Sequence, residues 1–200
     1  MLHRYSIPRQ CCLAVLALSA VLPISATGPV EAKVGEKAPN FTLTDQQGNP
    51  VSLADFADKV VVLEWTNPDC PFVKRHYNAG TMKKLASKYG HDGVVWLAIN
   101  SSHYASTKDN AEFVAERGLA YPVLDDRDGK VGRMYGAKTT PHMYVIDKGV
   151  LAYVGAIDDD PRGSGASVNY VDQALAEIAA GKPVSQPQRQ SYGCSVKYGQ

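Results

Sequence analysis

Hydrophobic and polar positions divide residues 41–180 into strand-like and helix-like stretches. Short apolar runs rich in β-branched residues, at 60–63, 94–99 and 142–146, predict buried strands. Amphipathic stretches predict helices after residue 70, at 82–89, up to residue 117 and at 171–180. Because strands and helices alternate, the pattern predicts an α/β protein with a central mixed sheet and helices on both faces.

Turn residues predict the connections between these elements. A polar turn at 45–50 joins two short strands in an N-terminal hairpin, and a turn at 147–149 joins a second hairpin. Asp109 and Glu112 suggest a cap for the helix that ends near residue 117. The segment 158–167 is rich in Asp, Gly, Ser and Pro, and therefore predicts a flexible loop.

One cysteine, Cys70, stands at the junction between the predicted strand 60–63 and the next helix. Asn67 and Pro68 mark a turn before it, and Pro71 suits the first position of a helix. Unpaired N–H groups and the helix dipole favour negative charge at such a place. Because the thiolate is the reactive form of cysteine, we expect Cys70 to be a redox nucleophile. The alternative is a small buried core residue.

Residues 1–32 have the pattern of a secretory signal peptide. A basic start is followed by an apolar run at 11–22, by Pro23 and by small residues. Cleavage before Lys33, or alternatively after Ala26, is expected. The apolar run is short for a membrane span, although an uncleaved anchor is the other interpretation. We therefore expect an exported protein, periplasmic in a Gram-negative bacterium, with no stable membrane insertion after cleavage.

Cleavage would leave a nearly neutral chain with two cysteines, Cys70 and Cys194. In an exported protein two cysteines are expected to pair, either permanently or transiently. We expect one folded domain at 33–181 and a C-terminal tail at 182–200 that carries Cys194. The whole chain has a formal net charge of +1 and no block of like charge, so we expect no nucleic-acid partner.

The sequence around Cys70 and Pro141 resembles the thioredoxin superfamily. The strand before Cys70-Pro71 and the run Thr139-Thr140-Pro141 before a hairpin resemble the redoxin group, which spans alkyl hydroperoxide reductase-like, thiol-specific-antioxidant-like and TlpA/ResA-type proteins. Asn-Pro-Asp-Cys-Pro-Phe-Val-Lys at 67–74, with Gly-Cys-Ser-Val-Lys at 193–197, is similar to a single-cysteine peroxiredoxin-like subgroup.

The resemblance implies a thioredoxin-like fold over about residues 34–180 and a cis bond before Pro141, beside Cys70. A cis X–Pro bond is a small minority form, so this expectation is specific. The resemblance also implies that the backbone of Thr140 can pair with an extended substrate peptide. Three further residues are expected to support the site. They are Trp65, Asn67 and Pro71.

Two features depart from the family pattern. Thioredoxins use the second cysteine of Cys-x-x-Cys to resolve a mixed disulfide, but Val73 stands at that position. Peroxiredoxins surround the reactive cysteine with a proline, a hydroxyl residue and an arginine, where this chain has Leu63, Asn67 and Pro141. Thr66 and Arg133 could replace the missing groups only if the fold brings them close.

These features favour a thiol–disulfide oxidoreductase in which Cys70 attacks and Cys194 resolves, or else a permanent Cys70–Cys194 staple. The expected partners are protein thiols or disulfides and a reducing thioredoxin-like protein, with no cofactor. The first alternative is a thiol peroxidase acting on a small peroxide. The second is a copper or zinc protein in which His142 and His76 join the cysteines, although no histidine has a metal-binding spacing to a cysteine.

Two charged clusters have less specific interpretations. Lys74, Arg75 and His76 can add positive charge near a thiolate, but a solvated surface is their expected role. The aspartates at 125–128 suggest calcium, yet the remaining EF-hand ligand spacing is missing. We therefore predict no metal site.

Overall fold

The computed structural model describes residues 31–165 and 168–200. The expected signal peptide lies outside these residues, apart from Glu31 and Ala32. Among the described helices, none combines the length and the hydrophobicity needed to span a bilayer.

The described residues form nine strands and five α-helices. The strands are β1 (Thr42–Thr44), β2 (Pro50–Ser52), β3 (Val60–Trp65), β4 (Val95–Asn100), β5 (Val123–Asp125), β6 (Thr139–Thr140), β7 (His142–Asp147), β8 (Val150–Gly155) and β9 (Cys194–Ser195). The helices are α1 (Pro71–Asn78), α2 (Thr81–Gly90), α3 (Thr107–Arg117), α4 (Lys130–Met134) and α5 (Tyr170–Ala179), with a 3-10 helix at Leu53–Phe56.

Seven strands form a mixed sheet in the order β2-β1-β5-β4-β3-β7-β8. The central pairs β3–β4 and β4–β5 are parallel, while β3–β7 and β7–β8 are antiparallel. The β1–β2 hairpin extends one edge, so the predicted mixed sheet with an N-terminal hairpin is confirmed. Strands β6 and β9 form a separate two-stranded sheet that joins the tail to the domain.

Strand β3 sends alternate side chains to the two faces of the sheet, as a strand buried on both sides requires. Val61, Leu63 and Trp65 lie in the core cluster that α4 and the 3-10 helix cover. Val62 lies in the other core cluster, which α1, α2, α3 and α5 cover. Both faces are therefore filled, and β3 ends five residues before Cys70 in the centre of the molecule.

A buried acidic residue, Glu64, interrupts the apolar pattern of β3. Its carboxylate accepts hydrogen bonds from the Tyr77 hydroxyl at 2.9 Å and from the Trp96 ring nitrogen at 3.0 Å. Complete burial raises the pKa of Glu64 to about 7, although these hydrogen bonds oppose the increase. The sequence patterns did not predict that a carboxyl group would be completely buried in this strand.

One sequence-based expectation about local structure was wrong. The cap of α3 is formed by Ser106 with Asp109, not by Asp109 with Glu112: the Ser106 hydroxyl accepts from the Asp109 N–H, and the Asp109 carboxylate accepts from the Ser106 N–H. The predicted loop at 158–167 is irregular over residues 158–165, where the Asp160 carboxylate accepts from three successive N–H groups, and residues 166 and 167 lie outside the described residues. Short polar side chains often order loops in this way.

Candidate active site

The turn between β3 and α1 places Cys70 at the start of the helix. The Asn67 carboxamide oxygen accepts from the Asp69 N–H at 2.8 Å, and the Asn67 carbonyl accepts from the Cys70 N–H at 3.0 Å. Pro71 occupies the first helical position behind Cys70. The predicted supporting residues Asn67 and Pro71 therefore lie next to Cys70, and Asn67 fixes the turn.

Cys70 lies against the loop that precedes β7. Cys70 is 2% exposed, and its Sγ donates to the Thr140 carbonyl oxygen at 3.0 Å. The Thr140–Pro141 peptide bond is cis. Residues 70 apart in the sequence thus form one site.

The C-terminal tail occupies the edge of this loop. In the β6–β9 pair, Thr139 lies opposite Ser195 and Thr140 lies opposite Cys194, in antiparallel register. Gly193 adopts a φ of 135°, and a Cβ atom at this position would clash with the Thr140 carbonyl oxygen. The chain's own cysteine-bearing strand therefore takes the place on Thr140 at which the sequence suggested a substrate peptide.

The two thiols are adjacent and have opposite pKa shifts. Burial raises the pKa of Cys70, but interactions with the Cys194 thiol, the Thr140 hydroxyl and the N–H groups of Val73 and Cys194 outweigh it, so the pKa is lowered. Burial, followed by the hydrogen bond to Cys70 and the charge on Cys70, raises the pKa of Cys194 to about 11. Both cysteines are free, so the arrangement is a Cys70 thiol of lowered pKa beside a Cys194 thiol of raised pKa.

The Thr140 hydroxyl has an unusual position in this site. Thr140 is 1% exposed, and its hydroxyl has no hydrogen-bond partner of ordinary geometry in the described chain. It is nevertheless close enough to Cys70 to help lower the pKa of that thiol. Because a buried hydroxyl without a partner is costly, Thr140 is poised to donate to a thiolate.

Tyr192, two residues before Cys194, anchors the tail in a polar pocket. Its hydroxyl donates to the Asp158 carboxylate and lies 3.0 Å from His76 Nε2 and 3.3 Å from Arg75 Nη2. His76 is 3% exposed and Asp158 is 6% exposed. The expectation that Lys74, Arg75 and His76 form a solvated surface is therefore wrong for His76, which lies inside this pocket.

Three further hydrogen bonds hold the tail on either side of Tyr192. The N–H of Val154 donates to Pro187, and the N–H of Arg189 donates to Val154, so the tail runs along β8. Gly155 makes this approach possible, since a side chain there would meet the Arg189 carbonyl. Near the C-terminus, the Tyr198 hydroxyl donates to the Ala137 carbonyl at 2.8 Å.

The comparison with known proteins agrees with this architecture. The model of the AhpC/TSA family matches residues 34–154, which is more than half of the chain. The chain belongs to the AhpC/TSA family. The match contains β3, the Cys70 turn and the Thr140–Pro141 loop, but it ends before the tail that carries Cys194.

Three similar proteins place this AhpC/TSA chain among thioredoxin-like structures. The "Thiol-disulfide oxidoreductase ResA" of Bacillus thuringiensis subsp. konkukian is 31% identical over 116 residues, which are 58% of this chain and 65% of ResA. The chain thus matches slightly less than two thirds of the length of that relative. A hypothetical protein from Sinorhizobium meliloti superposes with a TM-score of 0.76, at 30% identity, over 84% of this chain and 96% of its own.

The third is an uncharacterized conserved protein from Geobacillus kaustophilus. It also superposes with a TM-score of 0.76, at 32% identity, over 84% of this chain and 93% of its own. The predicted thioredoxin-like fold of the redoxin group is confirmed by these findings.

The groups that could replace the missing peroxiredoxin residues of this AhpC/TSA protein do not converge on Cys70. The Thr66 side chain acts on Glu64, whose pKa it helps to hold down. Arg133 donates to the carbonyls of Asp128 and Gly199 and lies over the Tyr198 ring at 4.6 Å. Within residues 31–165 and 168–200, neither side chain forms a hydrogen bond with the thiol.

Two other predicted features lie apart from the thiol pair. Trp65 is fully buried in the opposite core cluster from Cys70, and its ring nitrogen donates to Ser101 at 3.0 Å. It therefore supports the end of β3 rather than the thiol. In the part of the chain that the structure describes, no group of three or more His, Cys, Asp or Glu side chains is placed to hold a metal ion.

Sequence reasoning missed the polar pocket around Tyr192. Arg75 and His76 come from α1, Asp158 from the segment after β8 and Tyr192 from the tail. Because three separate parts of the chain contribute, no local sequence motif contains the pocket. The only local signal was the position of Tyr192 and Gly193 directly before Cys194.

Proposed function

We propose that this protein is an exported thiol–disulfide oxidoreductase in which Cys70 is the nucleophile and Cys194 is the resolving cysteine. The observation that carries the proposal is the position of Cys194 beside Cys70, on a strand paired with Thr140. The printed activity of the ResA relative supports the same reaction class. The basic and apolar pattern of residues 1–32 supports export.

In the first step, the Cys70 thiolate attacks one sulfur of a substrate disulfide. A mixed disulfide between Cys70 and the substrate forms, and the other substrate sulfur leaves as a thiolate. The lowered pKa of Cys70 increases the fraction of attacking thiolate at a given pH. The Thr140 hydroxyl helps to hold the charge on that sulfur before it attacks.

In the second step, Cys194 attacks the Cys70 sulfur of the mixed disulfide. The second substrate thiolate leaves and a Cys70–Cys194 disulfide forms, so two electrons pass from the protein to the substrate. Burial, then the hydrogen bond to Cys70 and the Cys70 charge, raise the pKa of Cys194 in the resting protein. The two contributions from Cys70 disappear once Cys70 is bonded to substrate, so the pKa of Cys194 falls and its proton passes to the first leaving thiolate or to solvent.

An external dithiol must reduce the Cys70–Cys194 bond to complete the cycle. We assign this role to a thioredoxin-like partner, and the substrates to protein disulfides. The exposed end of the tail, where Ser195 and Lys197 face solvent, gives such a partner access to the Cys194 side of the bond.

Turnover with single-cysteine variants tests this proposal. Reduction of a protein disulfide is measured with a dithiol as the electron source. Cys70→Ser is expected to abolish turnover, whereas Cys194→Ser is expected to stop after one step and to retain a Cys70–substrate disulfide that mass spectrometry detects. Unchanged turnover in Cys194→Ser would exclude the resolving role.

Peroxide reduction is the second candidate, favoured by the buried Thr140 hydroxyl beside the thiol. The Cys70 thiolate would attack one oxygen of hydrogen peroxide, the O–O bond would break, the other oxygen would leave as water and Cys70 would become a sulfenic acid. The Cys194 thiol would then attack the Cys70 sulfur and displace a second water to form the same disulfide. No arginine approaches Cys70 by hydrogen bonding in the described residues, so we expect slow peroxide turnover. Fast hydrogen peroxide consumption that Cys70→Ser abolishes would reverse this ranking.

A further inference from the structure

The resting tail shields the thiol that it is proposed to resolve. Cys70 is 2% exposed, and Cys194, Tyr192 and Phe72 pack against the core cluster that contains it. The Thr140 edge, on which an incoming strand would pair, is already paired with Cys194. A protein disulfide therefore cannot reach Cys70 while residues 191–198, here termed the gate, remain in place.

The gate is built to leave its site without unfolding the domain. None of residues 182–200 is fully buried, and the β6–β9 ladder contains only two residue pairs. Segments with few buried apolar contacts open at low free-energy cost. The polar contacts of the gate therefore decide how long it stays closed.

Tyr192 provides the contact best suited to control that closure. Its hydroxyl meets three groups of the domain at once, Arg75, His76 and Asp158, and two of them are almost fully buried. Its ring also lies 5.7 Å from the Arg75 guanidinium. If the gate lifts, the buried Asp158 and His76 lose a hydrogen-bond partner, which favours its return.

We propose that Tyr192 is a positioning residue, the latch of a gate that closes on Cys70 and that a substrate strand displaces. The inference rests on the proposed function for its biological meaning. A closed latch shields Cys70 from outside thiol reagents and holds Cys194 beside it. Loosening the latch therefore speeds attack on Cys70 from outside and slows closure of the Cys70–Cys194 bond.

The exposure of Cys70 is measured first, in a Cys194→Ser background in which Cys70 is the reactive thiol. Alkylation by iodoacetamide is compared with and without Tyr192→Phe. We expect Tyr192→Phe to raise the alkylation rate about tenfold, the factor expected for loss of a hydrogen bond to a charged group. This arm involves no chemistry of Cys194, so it tests the latch even if Cys194 proves not to be the resolving residue.

Formation of the Cys70–Cys194 disulfide, here termed ring closure, is measured second, in the protein that retains both cysteines. Cys70 is converted to a mixed disulfide with thionitrobenzoate, and release of the second thionitrobenzoate reports attack by Cys194. Tyr192→Phe is expected to slow this release about tenfold. If wild type itself fails to close, the proposed function fails, while the alkylation result still decides the latch.

Tyr89→Phe is the matched control, because it removes a tyrosine–aspartate hydrogen bond of 2.6 Å to Asp172, which lies outside the gate. Its rates should equal those of wild type in both arms. If Tyr192 only stabilised the fold, Tyr192→Phe and Tyr89→Phe would each lower the unfolding free energy and would change the alkylation and closure rates to the same extent. Alkylation that Tyr192→Phe leaves unchanged, or a closure rate that it does not lower, overturns the proposal.

Discussion

The two cysteines lie on regions of opposite construction. Cys70 follows β3, where Val61, Val62 and Leu63 are completely buried and apolar packing fixes the backbone. Cys194 lies on a tail in which no residue from 182 to 200 is fully buried. The tail is held instead by separate polar contacts and by a glycine at each close approach.

This difference separates two tasks that one cysteine motif performs in Cys-x-x-Cys proteins. A nucleophile benefits from a rigid environment, since its thiolate depends on fixed donors such as the Val73 N–H. A resolving residue on a displaceable strand can admit a large substrate and then return. On the proposed function, the fold places the nucleophile beside a packed core and the resolving cysteine on a strand held by few buried contacts.

Deleting core volume tests the first half of this comparison and has the largest expected effect. Leu63→Ala removes a fully buried side chain from β3, and we expect a loss of about 3 kcal/mol in unfolding free energy. Urea unfolding provides the measurement. The ring-closure rate of the folded variant should stay within about threefold of wild type, because the tail contacts are intact. If Leu63→Ala slowed ring closure strongly but hardly changed the unfolding free energy, the claim that the core and the tail are stabilised separately would be wrong.

The buried carboxyl of Glu64 gives the core a pH signature of its own. The folded pKa of about 7 exceeds the unfolded value of 4.5, so the folded state binds the proton more tightly. This contribution is complete below about pH 4.5 and is lost as pH rises through 7, by about 3 kcal/mol in total. The difference in stability between wild type and Glu64→Gln should therefore fall across that window.

The unfolding free energies of wild type and Glu64→Gln must be compared, because His142 changes the stability with pH in the opposite direction. Burial, and then the Lys138 charge, lowers the pKa of His142 to about 4, so its contribution is lost as pH falls below about 6.5. In wild type the two slopes oppose each other. An identical pH profile in wild type and Glu64→Gln would show that Glu64 does not carry the raised pKa.

Gly193→Ala tests the second half of the comparison. The added Cβ meets the Thr140 carbonyl, so the strand cannot lie in its register and Cys194 moves away from Cys70. We expect ring closure to slow about a hundredfold, while the unfolding free energy changes by less than about 1 kcal/mol. Thionitrobenzoate release and urea unfolding measure the two effects. Gly181→Ala, at another positive-φ glycine with open space around it, is the control for the backbone effect alone.

The smallest expected effect concerns the hydroxyl of Thr140. Thr140→Val keeps the branched shape but removes a group that helps lower the pKa of Cys70, so that pKa rises. At neutral pH a smaller fraction of Cys70 is then thiolate, and alkylation slows by about fivefold. The pH dependence of iodoacetamide alkylation in the Cys194→Ser background measures this shift. A midpoint that stays in place would remove Thr140 from the site.

The sequence predicted most of the domain because its patterns are local. Apolar runs located β3, β4 and β7, and the Cys70-Pro71 step located the start of α1. The path of the tail depends on contacts that span the whole chain. Gly155 with Arg189 and His76 with Tyr192 are pairs that periodicity cannot detect. The burial of Glu64 was not predicted either, because its hydrogen-bond partners Tyr77 and Trp96 come from two other elements.

The most direct test of the account is the stoichiometry of the reaction with a model disulfide. Reduced wild-type protein and Cys194→Ser are mixed with excess dithionitrobenzoate under native conditions, and the quenched products are mapped by mass spectrometry over time. The account predicts that wild type first modifies Cys70 and then releases a second thionitrobenzoate as an intramolecular Cys70–Cys194 disulfide forms. Cys194→Ser should stop at the stable Cys70 adduct. Initial modification at Cys194, or a wild-type Cys70 adduct that never closes, would contradict it.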